Sequence, residues 1–144
     1  MKMEVEIRQR ETPRCYDAHN AQGAKAVVDG SPQALGMRPM ELLLTALASC
    51  ACFDLEHILQ GQRQKLDGLK VHVEGHRPDK GNPKPFESIH MHFELSGTLE
   101  EHKVARALRL ATESYCSVRA SLDPRIAITH SFNIEQPAPP AGRM

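Results

Sequence analysis

Residues Glu41 to Leu55 read ELLLTALASCACFDL, a nearly continuous apolar run carrying two of the chain's four cysteines, Cys50 and Cys52. Pro39, just ahead of it, suits the first turn of a helix, where a missing N–H leaves no bond unmade, and Gly61 marks a stop. The sequence therefore predicts one helix from Pro39 to about Gln60, roughly 30 Å long at ~1.5 Å per residue. Between Leu42 and Phe53 only Thr45 and Ser49 interrupt the apolar character, so no face is left for water. Such a helix has to be surrounded. Two copies of a small chain do that more readily than one, and the run predicts a homodimer.

Outward from this helix the pattern changes to short strands. Met3, Val5 and Ile7 alternate with Glu4, Glu6 and Arg8, and two further strands are predicted near Arg14–His19 and Ala24–Asp29, joined by the turn HNAQG. DGSPQALGMRP reads as a loop. Beyond the helix, Leu69, Val71 and Val73 alternate, RPDKGNPKP makes a charged Pro/Gly loop, and Ile89, Met91, Phe93 and Leu95 give the clearest strand. Thr98 followed by Glu101 has the spacing of a capping box. Val104, Leu108, Ala111 and Tyr115 then mark one face of a second helix running to about Val118, with Cys116 at its C-terminal end. Ile126, Ile128, His130, Phe132 and Ile134 form a closing strand. No segment repeats. The order implies an α+β fold with mostly antiparallel sheet, a single domain over residues 1–135 and a flexible Pro-rich tail over 136–144.

The 144 residues suffice for one domain with a real core, and Lys+Arg and Asp+Glu balance at 18 each. That balance, with no basic run or interleaved aromatic platform, gives no support to a nucleic-acid or anionic-membrane partner. The N-terminus MKMEVEIRQR alternates charged and apolar residues instead of presenting a signal core, and the longest apolar run is too short to cross a bilayer. The expected location is cytoplasmic, where Cys15, Cys50, Cys52 and Cys116 are free thiols by default.

Residues advance ~100° each around a helix, so Cys50 and Cys52 point about 200° apart and cannot clip one metal ion. One of the two is expected to be apolar filling. Cys50 shares a face with Asp54 and His57, which either mark a thiol environment or begin the solvated end of the helix. Cys116 carries Arg119 three positions on, favouring a thiolate, while a helix C-terminus opposes one. Two cysteines on separate helices fit an attacking and a resolving thiol, but spacing alone does not bring them together. A metal site from Cys50, Cys116 and a histidine is a further reading. His90 and His92 share one face of their strand, as an exposed polar sheet face or as metal ligands. Cys15 reads as a packed strand residue.

GMRPMELLLTALASC, then SYCSV, then ITHSFNI as the closing strand, resemble the OsmC/Ohr superfamily of osmotically induced and organic hydroperoxide resistance proteins. The likeness covers most of the chain and rests on the G-x-x-P-x-E-L start of the helix, the two cysteine positions and the order of elements. It implies an OsmC-like fold, with sheets wrapped around a long buried central helix in an intertwined homodimer. It further implies a thiol peroxidase reducing organic hydroperoxides, with Cys50 as the peroxidatic and Cys116 as the resolving cysteine. Cys50 becomes a sulfenic acid, Cys116 condenses with it, and a small dithiol or a protein thiol reduces the disulfide, with no metal or organic cofactor required. Two features depart from the family pattern. The glutamate that follows the helix-start proline is Met40 here, and Glu41, nine positions from Cys50, is on the opposite helix face, as an acid complementing the helix dipole. Cys-Pro is replaced by Cys116-Ser117. The family's activating arginine falls among Arg8, Arg10 and Arg14, with Arg14 preferred. The competing reading is a non-enzymatic dimeric binding protein for an apolar small molecule, its cysteines lining the pocket.

Overall fold

The computed structural model describes residues 1–136, so the predicted tail lies, beyond Gln136, outside the described residues. The chain divides into two compact units, Met1–Leu43 and the remainder from Leu44.

The first unit is an antiparallel sheet of β1 (Val5–Gln9), β2 (Cys15–Asn20) and β3 (Lys25–Asp29) in sequential order. The HNAQG turn forms as expected. Asn20 Oδ1 accepts the N–H groups of Gln22 and Ala24, and Gly23 supplies a positive φ of 84° that an L side chain rarely adopts. After β3 the chain loops under the control of Asp29, then passes Gly36, where a Cβ would collide with the Val27 carbonyl oxygen. That close approach explains the glycine of the G-x-x-P-x-E-L pattern in physical terms, since the next residue, Met37, accepts the Asp29 N–H and bridges to Val28.

Helix α1 (Pro39–Gly61) starts and stops where the sequence predicts. Glu41 sits three positions beyond Arg38, and its Oε1 accepts the Arg38 N–H at 2.9 Å, half of a capping box. By length and hydropathy alone this 23-residue helix is long enough to cross a membrane, which the shorter uninterrupted apolar run did not suggest. Burial, however, follows a single stripe of Leu47, Ala48, Ala51, Leu55 and Leu59. Phe53, on another face, is 74% exposed. The expectation of a helix covered all round is therefore met on one side only within a single chain.

In the second unit β4 (Lys65–His76) pairs antiparallel with β5 (Ser88–Thr98), and β5 pairs parallel with β6 (Ala127–Glu135). The alternation read in the sequence is exact in β5. Ile89, Met91, Phe93 and Leu95 are fully buried, while His90 and His92 face the other way. With the α1 stripe and Val104, Ala107, Leu108 and Ala111 they make up the core.

Helix α2 (Glu101–Arg109) starts differently from the sequence reading. Thr98 belongs to β5 and caps nothing; the N-cap is Glu100, without a side-chain cap bond of its own. Its N–H instead donates to Gln64 Oε1 at 2.8 Å, a partner from a distant segment that no local spacing reveals. Nor does α2 continue to Val118. It widens into a π-helical turn, Leu110–Ser114, breaks at Tyr115 and Cys116, and resumes as the short helix α3 (Ser117–Ala120). Tyr115, expected on the buried face, is 57% exposed, because the extra residue of the π turn rotates it outward.

Candidate active site

Cys50 lies midway along α1, between the buried Leu47 and Ala51 that fix the helix's orientation in its unit. Cys116 is brought to it by the π turn. Had α2 run on regularly, Cys116 would have been an interior helical residue; instead its backbone is extended, with φ −74° and ψ 106°, and it becomes the N-cap of α3. There its side chain is buried and its thiol lies near enough to Cys50 to feel it electrostatically. The structure thus brings together the two cysteines that sequence spacing could not.

The surroundings of Cys116 differ from the expected ones. Its Sγ accepts the backbone N–H of Arg119 at 3.3 Å, with a further backbone contact from Val118. The Arg119 guanidinium donates through Nη1 to the Thr112 carbonyl at 3.1 Å. Cys116 does follow a helix C-terminus, since Tyr115 is the C-cap of the π turn, but it is at the same time the N-cap of α3. Its thiol pKa is nevertheless raised. Burial dominates, the Arg119 and Val118 N–H groups pull the other way, and hydrogen bonding and charge at Cys50 raise it further. Such a group rests as a protonated thiol, suited to being the second sulfur to react.

Thr112 anchors this arrangement. Its hydroxyl donates to the Leu108 carbonyl at 2.7 Å and lies 3.4 Å from His130 Nδ1, on the core side of β6. Burial lowers the pKa of His130. A cleft of about 360 Å³ opens beside Cys116, walled by Arg119, Leu122, Ile126 and Ile128. Sequence reasoning did not single out Thr112 or His130, since Thr112 is tied to the Cys116 turn only through Arg119 and His130 is brought to Thr112 by the packing of β6.

The remaining candidates separate clearly. The Cys52 thiol is pushed up to about 11 by burial and by Glu56, the behaviour of filling and not of a nucleophile. Cys15 is buried in β2, as expected, and pairs with Asp29 across the sheet. Asp29 was not singled out from the sequence, although D-G-S is an Asx-turn signal. Its Oδ1 accepts Ser31 N–H at 2.7 Å and its Oδ2 accepts Leu35 N–H at 2.8 Å, and these bonds with the Ser31 side chain hold its pKa at about 2.

Of the three early arginines, Arg8 and Arg10 approach Glu6 and Asp17 at 3.8 Å. Arg14 has a left-handed backbone, φ 65°, and its guanidinium lies over Gly30. Asp54 is half-buried and His57 exposed, toward the end of α1.

His90 and His92 are tied to β6 across the parallel pair. His90 reaches Thr129 and Ser131, and His92 reaches Ser131 and Asn133, at 2.6–2.9 Å. Both ring nitrogens of each histidine are engaged in a polar sheet face. Among the described residues no three or more His, Cys, Asp or Glu side chains gather as a metal-ligand set.

Fold and thiol geometry together define a class, small α+β proteins with a half-buried cysteine on a long helix beside a buried one at a helix break. The sequence pattern of the OsmC-like protein family matches residues 30–131, and the chain belongs to that family. It is 34% identical over 116 residues to Protein YhfA of Escherichia coli K12, covering 80% of this chain and 86% of that protein. The crystal structure of a hypothetical protein from Aquifex aeolicus matches with a TM-score of 0.85 and 30% identity, over 96% of this chain and 99% of that one. An organic hydroperoxide resistance protein OsmC from Legionella pneumophila has a TM-score of 0.67 at 15% identity, over 92% and 96%, a likeness of fold alone.

Proposed function

We propose that the chain is a cytoplasmic, thiol-dependent peroxidase that reduces organic hydroperoxides and protects against oxidative stress. The observation that carries this reading is the proximity of Cys50 and Cys116, close enough that Cys50 acts on the ionisation of Cys116. In the proposed cycle the Cys50 thiolate attacks the distal peroxide oxygen, the O–O bond breaks, and an alcohol leaves with a proton. Cys50 is then a sulfenic acid. The Cys116 sulfur attacks the Cys50 sulfur, the S–O bond breaks, and the hydroxyl departs as water with the Cys116 proton. A small dithiol or protein thiol reduces the disulfide by two exchange steps. The raised pKa of Cys116 suits it to the second step, and no metal or organic cofactor takes part.

The acting species in this reading is a homodimer. Support comes from Phe53 on α1 and from Val5 and Ile7 on β1, which leave large apolar side chains exposed in the single chain.

Peroxide consumption is the test. Purified protein with cumene hydroperoxide and a dithiol consumes the peroxide, Cys50→Ser does not, and Cys116→Ser traps sulfenic or sulfinic acid on Cys50. A Cys50→Ser variant as fast as the wild type would sink the proposal and leave the alternative, a dimeric binder of an apolar small molecule.

A further inference from the structure

The π turn creates a problem that one side chain solves. In a regular helix the Thr112 carbonyl would accept the N–H four residues on, which belongs to Cys116. Cys116 has left the helix, with ψ of 106°, while Thr112 is buried, so its carbonyl needs another donor. Arg119 provides it through Nη1 at 3.1 Å. The same residue's backbone N–H binds Cys116 Sγ at 3.3 Å. Arg119 therefore grips the turn that carries Cys116 at two points, one before the cysteine in sequence and one on its sulfur. Among the described residues no carboxylate lies within ion-pair distance of the guanidinium to draw it away.

We infer that Arg119 is a positioning residue of the thiol pair, its guanidinium clasping the Thr112 carbonyl so that Cys116 stays turned toward Cys50 for disulfide closure. The inference rests on the thiol-redox reading above and deepens it. Arg119 touches neither peroxide nor Cys50 in this role. It acts on the closure step alone, in which the S–S bond forms, the Cys50 S–O bond breaks and water leaves. Opening the clasp frees the Tyr115–Cys116 turn to rotate, and the sulfenic acid waits longer for its partner. A waiting sulfenic acid is exposed to a second peroxide, which carries it to sulfinic acid.

The experiment compares full-length wild type, Arg119→Ala, Arg119→Gln and Arg119→Lys, each checked for a cooperative thermal transition. One equivalent of cumene hydroperoxide is mixed rapidly with each, and peroxide loss, disulfide and sulfinic acid are followed separately by quenching and mass spectrometry. Arg119→Ala should consume the first equivalent at the wild-type rate, close the disulfide roughly tenfold more slowly, the scale of one lost charge-assisted hydrogen bond, and accumulate sulfinic acid on Cys50. Arg119→Lys, which keeps one cationic donor, should recover most of the closure rate. An unchanged closure rate in both Arg119→Ala and Arg119→Gln, or equal slowing of peroxide loss and closure, would overturn the inference. A second arm replaces peroxide with diamide, which oxidises a dithiol directly. Wild type that ignores the hydroperoxide yet closes the disulfide with diamide, more slowly in Arg119→Ala, would refute the peroxidase reading and leave the positioning role standing. Wild type that closes with neither oxidant would overturn both.

Discussion

The thiol of Cys116 lies beside Cys50 while its sulfur accepts the Arg119 N–H at 3.3 Å. A cysteine held in this way is poised between two partners: a sulfur to join and an amide to stabilise charge when that bond is later broken. The burial that raises its pKa keeps it protonated until its partner is oxidised. The asymmetry of the pair follows from the main chain, because one cysteine sits inside a regular helix and the other in the gap between two helices.

Cys52 sets a sharp contrast in alkaline solution. Its folded-state pKa of about 11 stands above the ordinary 9.0, so the unfolded thiol ionises first. Its contribution to stability is therefore complete below pH 9 and is lost as pH rises toward 11. Iodoacetamide at pH 8 should leave Cys52 unmodified in the folded protein, with alkylation appearing in denaturant, as peptide mass spectrometry will show. Cys52→Ala should retain peroxide consumption.

Asp29 has the opposite sign. Its pKa is depressed from 3.8 to about 2, so its stabilisation is present above pH 4 and lost as pH falls through 2. Asp29→Asn has a single acceptor oxygen for two N–H donors, those of Ser31 and Leu35, and should lower the melting temperature at pH 7. The gap between variant and wild type should narrow toward pH 2, measured by circular dichroism melts across that range.

Leu55 is fully buried on the α1 stripe. Leu55→Ala removes its packing and leaves a cavity, an expected loss of about 2–5 kcal/mol in denaturant unfolding. Phe53→Ala, at a position exposed in the single chain, should cost much less in the unfolding of the isolated chain. If both variants lose the same stability at a concentration where the protein is monomeric, the one-sided burial of α1 is wrong.

The proposed dimer is tested on the same helix. Sedimentation equilibrium of the wild type should give twice the 16.0 kDa chain mass. Phe53→Glu, which puts a charge on the exposed apolar side of α1, should shift the equilibrium toward the monomer by one to several orders of magnitude in Kd, the expected penalty for an unpaired charge at an interface.

Local chemistry made much of this protein readable from its residues. Pro39 and Gly61 bound α1 because one lacks an N–H and the other ends the helical run, and the alternation of Ile89, Met91, Phe93 and Leu95 names the core face of β5 since successive strand residues point to opposite sides. The opposed directions of Cys50 and Cys52 followed from helical rotation alone, and the family pattern carried the fold. What local chemistry could not supply was every feature set by partners far away in sequence. Gln64 took the N–H that a Thr98 capping box was expected to organise, and His90 and His92 found their hydrogen bonds on β6. The π turn is the deepest example. Nothing in LATESYC announces one extra residue per turn, because a π turn is tolerated only where surrounding packing and a substitute donor, here Arg119, make up for the disturbed helical bonding. That tertiary decision set Cys116 in the break between two helices, after the C-cap of one and at the N-cap of the next, and with it turned two separated cysteines into neighbours.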